Sequence, residues 1–205
     1  MSKFILGRDQ GRKAQFFVPY VEGRKVLDIG FIGDSADPHE DQQWLHRKIK
    51  CVARECVGLD KNKEKALELK AKGYQVIVGD AQCFHLEDEY EVVCAFDLIE
   101  HIEDLKSFFN GVHAALGEKG KLLISTPNPW SFISLMRCIV KGGGNLNKDH
   151  VGWFCMETLP AMLKRHGFKI ERMELGSPQP RLYILKLLPK IFRHTSIYAV
   201  AVKSQ

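Results

Sequence analysis

Four apolar runs in the first half of the chain each end in an aspartate: Val26-Leu27-Asp28, Val57-Gly58-Leu59-Asp60, Val76-Ile77-Val78-Gly79-Asp80 and Val93-Cys94-Ala95-Phe96-Asp97. A run that is apolar at successive positions reads as a strand covered on both faces, the habit of parallel sheets. Open α/β sheets bind their ligands outside the carboxyl ends of such strands, so an acid at the same end of each marks one candidate edge. Gly30 and Gly33 follow the first run, where a missing Cβ lets backbone N–H groups approach a ligand.

Helical patterns alternate with these runs. Asp37-Pro38 reads as a helix start, with Trp44, Leu45, Lys48 and Ile49 on one stripe. Asn62 is placed to cap a Lys/Glu-rich helix that Gly73 ends. A third helix is expected from about Glu103 to Leu116, then a turn at Gly117–Gly120 and a fifth strand, Lys121–Thr126. Pro127-Asn128-Pro129 breaks that strand before a helix over Trp130–Val140. Beyond a glycine-rich loop at Lys141–Asn147, the pattern predicts a helix over Met156–His166 stopped by Gly167, a strand over Phe168–Leu175, an apolar and basic segment over Leu182–His194, and a last strand over Ile197–Val202. The loop reads either as a surface connector or as a mobile lid. Strand and helix alternating in this way predict a parallel sheet covered by helices on both faces.

At 205 residues and 45% hydrophobic, the chain fits one domain, 1–205, with an N-terminal cap over 1–23 and substrate-side helices and loop within 127–195. Phe16-Phe17-Val18-Pro19-Tyr20 is expected to pack against the domain or to cover its ligand, and a plain N-terminal helix capping the sheet reads equally well. A net charge of +5, with the lysines dispersed among acids, gives no electrostatic case for nucleic acid. The six cysteines contain no Cys-x-x-Cys pair, so reduced thiols and a cytoplasmic setting are expected rather than a disulfide framework or a zinc site. No stretch has the length of a transmembrane span.

An acid at the tip of the second strand, Asp60, suits both hydroxyls of a ribose, and Asp80 with the backbone of Ala81 suits an adenine. Read together, Val26-Leu27-Asp28-Ile29-Gly30, Gly58-Leu59-Asp60, Gly79-Asp80-Ala81, Phe96-Asp97-Leu98-Ile99-Glu100-His101-Ile102, Ser125-Thr126-Pro127-Asn128-Pro129 and His150-Val151-Gly152-Trp153-Phe154 resemble, in order, the motifs of the class I S-adenosylmethionine-dependent methyltransferases. The later segments resemble the subgroup acting on quinone precursors, small molecules and glycans. The resemblance implies a Rossmann-like three-layer α/β sandwich, with a mostly parallel seven-stranded sheet and an antiparallel last strand. It implies S-adenosyl-L-methionine as cofactor, with Asp28, Gly30, Phe31, Gly33, Asp60, Lys61, Asp80, Ala81, Phe96 and Asp97 as candidate contacts.

The chain departs from the family in the glycine turn, where Ile32 and Asp34 stand at positions usually held by glycine. Methyl transfer asks the protein to align donor and acceptor and to exclude water, and it needs a base only for a protonated nucleophile. His150 and His101 are the candidate bases, since imidazole titrates near neutral pH. No metal is expected, Glu100, His101 and His150 being the one cluster that raises the question. The altered turn keeps a second reading open, a cofactor-binding but catalytically silent partner or regulatory subunit. A nicotinamide-dependent dehydrogenase is disfavoured because Gly-x-Gly-x-x-Gly is absent. Leu182, Ile184, Leu185, Leu187, Leu188, Ile191 and Phe192, interspersed with Arg181, Lys186, Lys190 and Arg193, suggest an apolar or lipid-linked acceptor and peripheral membrane contact, with core packing as the other explanation.

Overall fold

The computed structural model describes residues 3–33, 37–140, 149–178 and 187–204, with side chains described from Gly11 onward. Asp34, the Lys141–Asn147 loop and Arg181–Lys186 lie outside the described residues. Five strands, β1 (Lys25–Ile29), β2 (Glu55–Asp60), β3 (Gln75–Val78), β4 (Tyr90–Phe96) and β5 (Leu116–Pro127), run parallel. With β6 (Phe168–Leu175) and β7 (Ser196–Lys203) they form one sheet in the order β3-β2-β1-β4-β5-β7-β6. β7 is antiparallel to both of its neighbours, as the resemblance implied. The chain steps outward from β1 to β3 and then returns to place β4 on the other side of β1, which opens a crevice at the carboxyl ends of β1 and β4.

Successive side chains of a strand face opposite ways, and both directions are apolar here. Leu27, Ile29, Val93, Ala95, Leu122 and Ile124 face α4 (Leu105–Ala115) and, after α5 (Phe132–Val140) in the chain, α6 (Thr158–Arg165), meeting Phe108, Phe109, Val112, Leu159 and Leu163. The alternate residues Val26, Val92, Cys94, Leu123 and Val200 meet Phe16, Phe17 and Val21 of α1 (Lys3–Val21) and Leu45 and Ile49 of α2 (Leu45–Val52). The N-terminal segment is thus a helix on the sheet. Its Phe17 ring lies 4.7 Å from that of Phe96 and 5.3 Å from that of Tyr198. No helix among the described residues is long and apolar enough to cross a membrane.

Local chemistry sets most of the boundaries. Asn62 caps α3 (Lys63–Ala71) by accepting from the Lys65 N–H, and Gly73, at φ +86°, lets the chain leave it. Asp104 caps α4 in the same way through Ser107. The helix expected from Pro38 does not form as one piece. Pro38–Glu40 makes a single 3-10 turn, and α2 begins only at Leu45. Asp41 is the cause, because its carboxylate accepts from the Gln43 N–H and so competes with helical bonding. The turn expected at Gly117–Gly120 falls inside β5, where the register passes from Leu116 opposite Tyr90 to Lys121 opposite Val92 and leaves residues 117–120 outside the ladder.

Glu91 ties three segments together. It accepts from the Lys25 N–H, from Arg24 and from Arg54 at 2.7–2.9 Å. The backbone bond and the two guanidinium groups hold its carboxyl down at about 2, from an ordinary 4.5. A depressed carboxylate adds stability above its unfolded pKa and loses it as pH falls through the folded one. With the side chain 37% exposed, solvent screens much of the effect. Glu91→Gln is expected to cost about 1 kcal/mol at neutral pH. Urea unfolding of the two proteins should show that difference closing as the pH is lowered towards about 2.

Candidate active site

The turn after β1 keeps the backbone that glycine permits. Gly30 and Gly33 have φ of +73° and +61°, and the Gly30 N–H donates to the Leu59 carbonyl at 2.8 Å. A Cβ on Gly30 would stand 2.9 Å from Leu98. Between and beside the glycines the chain turns inward: Phe31 and Ile32 are buried in a cluster with Trp44, Ala66, Leu69 and Tyr74. The Phe31 ring lies flat against Gly58, and its carbonyl accepts from the Trp44 indole at 2.7 Å. Phe31, one of the residues expected to touch a cofactor, thus has its ring packed in this cluster and one lone pair of its carbonyl engaged. Asp28 is likewise turned inward, 2% exposed, with its carboxylate 2.8 Å from Nδ1 of buried His46. The local sequence could not reveal either commitment, since both partners come from α2 and the loop before it.

Asp60 is placed differently. At the tip of β2 it is half-buried and accepts from the Ile32 N–H at 3.2 Å and the Asn62 N–H at 2.9 Å, one bond to each oxygen. Each carboxylate oxygen has a second lone pair, so the group is held in orientation with two acceptor sites to spare. Lys61 beside it is exposed. Asp80, just beyond β3, uses one oxygen to accept from the Gln82 N–H at 2.9 Å, and Ala81 is half-buried. Gln82 in turn accepts from the N–H groups of Glu103 and Asp104, which fixes the β3 end against the segment before α4.

Beyond β4, Phe96 is half-buried against Phe17, and Asp97 is a non-glycine residue at φ +48°. Asp97 accepts from the Ser125 hydroxyl at 2.9 Å and forms an ion pair with Lys13 of α1. The protein groups around the Asp97 carboxyl work to raise it although 41% of the side chain meets solvent, but the Lys13 ammonium and the Ser125 hydroxyl outweigh this and hold the group below the usual carboxylate range. The Lys13 side chain is 2% exposed. Sequence reading passed over Lys13 as one charge among several. Its position three and four residues before buried Phe16 and Phe17 puts it on the buried stripe of α1, and that spacing was the available signal.

Glu100 and His101 form a 3-10 turn after Asp97. Glu100 is 2% exposed, one oxygen accepting from Thr126 at 3.0 Å and the other buried with no hydrogen-bond partner among the described residues. Burial, and then the charge of Asp97, pushes its carboxyl up to about 8. The Glu100 carbonyl accepts from the N–H groups of Val151 and Gly152, at 2.8 and 3.1 Å. That pair of bonds brings in His150, whose ring centroid is 4.6 Å from that of His101. The two candidate bases, distant in sequence, are therefore adjacent. All six cysteines are free thiols, and burial raises those of Cys56 and Cys94.

Residues 10–172 match the family described as methyltransferase domain. The chain belongs to this methyltransferase family. Among curated proteins it is similar to the ubiquinone biosynthesis O-methyltransferase of Aeromonas salmonicida, at 24% identity over 162 aligned positions. These cover 74% of this methyltransferase and 65% of that protein, so the chain spans just under two thirds of the relative's length. In fold it resembles a SAM-dependent methyltransferase from Archaeoglobus fulgidus, with a TM-score of 0.68 at 19% identity over 96% of this chain and 94% of the other. It also resembles a structure of the complex between the Haloferax volcanii Trm112 methyltransferase activator and a methyltransferase, with a TM-score of 0.69 at 13% identity over 99% and 92% of the two chains. At these identities the structural likenesses speak to fold, and they agree with the sheet order and the antiparallel β7 of this methyltransferase.

Proposed function

We propose that this methyltransferase binds S-adenosylmethionine across the carboxyl ends of β1, β2 and β3 and transfers its methyl group to an apolar or lipid-linked acceptor. The observation that carries the reading is Asp60, a carboxylate fixed by two backbone N–H groups and retaining two acceptor sites beside a glycine turn at the sheet's switch point. Two vicinal ribose hydroxyls need two such sites. Bound there, S-adenosylmethionine supplies a methyl group on a sulfonium, whose C–S bond breaks with its electron pair left on sulfur as the acceptor atom forms the new bond. The protein holds the ribose through Asp60, reads the adenine through Asp80 and the Ala81 N–H, and handles an acceptor proton at the cluster around His101 and His150. The silent-subunit reading rested on the altered turn. Phe31 and Ile32 are accommodated in the core while Gly30 and Gly33 keep left-handed φ, which supports a working turn instead.

Acceptor class is inferred from the segments after β5. Trp130, Ile139, Val140, Val151 and Trp153 are large apolar residues left exposed, and Leu187 is 90% exposed. The described part of the Leu182–His194 segment includes α7 (Lys190–Arg193), fastened by Asn128, whose amide donates to the carbonyls of Ile191 and His194. Labelled-methyl transfer should be measured across phenolic, quinone-precursor, sugar-nucleotide and polyprenyl-linked acceptors, with vesicle co-sedimentation alongside. Transfer confined to polar acceptors, with no vesicle binding, refutes the apolar assignment.

Asp80 provides a selective test. Asp80→Asn is expected to weaken binding of the adenine nucleoside by several-fold, about 1 kcal/mol, while leaving an inosine analogue, which lacks the exocyclic amine, nearly unaffected. Equal losses for the two ligands in calorimetry would remove the role.

A further inference from the structure

Glu100, His101 and His150 each bring a ligand atom into one cluster in which all three atoms lie within 4.8 Å of one another. Three independent details of the surroundings favour an ion among them. One oxygen of Glu100 is buried with no hydrogen-bond partner among the described residues, a costly arrangement unless something else satisfies it. His101 Nδ1 lies 3.0 Å from the Asp149 carbonyl, and since a carbonyl only accepts, Nδ1 carries the proton and the lone pair is on Nε2. A backbone carbonyl fixing the tautomer of a ligating histidine is the usual outer-shell arrangement of a metal site. The chain on either side is braced too, because Val151 and Gly152 bond to the carbonyl of Glu100 itself.

We propose that Glu100, His101 and His150 bind a divalent transition-metal ion of the Zn2+, Co2+ or Mn2+ class. Two imidazoles and one carboxylate are a borderline donor set suited to such ions, and three protein ligands leave coordination positions for a further oxygen. The set follows directly on Asp97, at the carboxyl end of β4 and so beside the crevice. An acceptor hydroxyl that coordinates the ion gives its proton to water at a lowered pKa, and the oxygen's electron pair then forms the bond to the methyl carbon. This use of the ion rests on the methyl-transfer reading above, and it narrows the acceptor to one with a hydroxyl. The binding of the ion does not rest on it.

The test is carried out on chelator-stripped protein with no cofactor or acceptor present. Titration with Co2+, followed by visible absorption and by the rise in melting temperature, should show a single saturating site. His150→Ala, on a loop outside the sheet, and the near-isosteric Glu100→Gln should each weaken Co2+ affinity by more than the roughly 10- to 100-fold that loss of an outer-shell partner costs, while still unfolding cooperatively in chelator. Stripped wild type that takes up neither Co2+ nor Zn2+, or a His150→Ala variant that binds Co2+ as tightly as wild type, overturns the site. If the ion binds but no hydroxyl acceptor is methylated in its presence, the metal site stands and the transfer reading fails.

Discussion

Exchange of Asp60 for alanine is expected to weaken S-adenosylmethionine and S-adenosylhomocysteine binding by about 1.5 to 3 kcal/mol, a loss of roughly ten- to a hundredfold or more. The carboxylate is oriented before any ligand arrives, by the N–H groups of Ile32 and Asn62, so little of its interaction is lost to ordering. Because the same bonds hold the β1 turn against β2, the variant also removes a contact within the protein. Asp60→Asn separates the two effects. The amide keeps the volume and one acceptor oxygen, so it should restore much of the stability and only part of the affinity. Calorimetry on the three proteins decides the matter: wild type binding neither molecule, or Asp60→Ala binding as wild type does, rules out the ribose assignment.

A second large effect is expected at the other end of the crevice. Asp97→Ala should destabilise the fold by about 2 to 4 kcal/mol, because it removes the carboxylate that pairs with the Lys13 ammonium, on a side chain only 2% exposed. Lys13→Met should cost less, about 1 kcal/mol. It replaces the chain with an apolar one of similar length, and the Asp97 left behind is 41% exposed and still bonded to Ser125. The asymmetry is the informative quantity, measured as two urea midpoints against the wild type. Equal losses from the two changes would mean that the pair is a surface contact with no buried charge to protect.

The sheet was legible because its cause is local. Val26, Leu27 and Ile29, Cys56 to Leu59 and Val92 to Ala95 are apolar on both faces, the habit of a covered strand. Asn62 could be read as a cap, and Gly73 and Gly167 as stops, for the same reason: the chemistry lies within a few residues. The site was legible only in part. Asp60 and Asp80 stand at their strand ends because the strands put them there, but the direction of Asp28 and Phe31 is decided by His46 and Trp44, and no periodicity near β1 encodes that. Lys13 with Asp97, Glu100 with Thr126, and His101 with His150 are likewise contacts between segments far apart in the chain. The late start of α2 was missed for a different reason: Asp41 can end a helix or begin one, and only its bond to Gln43 tells which.

The packing of α1 bears on the order in which the domain can close. Phe16 and Phe17 precede every strand of the sheet, yet both rings rest on Tyr198 of β7, which follows the other six strands. Until β7 is inserted between β5 and β6, the two rings lack their shared partner Tyr198, and Phe17 rests on Phe96 alone among the rings of the sheet. The contact between α1 and Tyr198 therefore depends on β7 having joined the sheet, and a variant whose β7 cannot pair is expected to expose one side of the Phe16 and Phe17 rings.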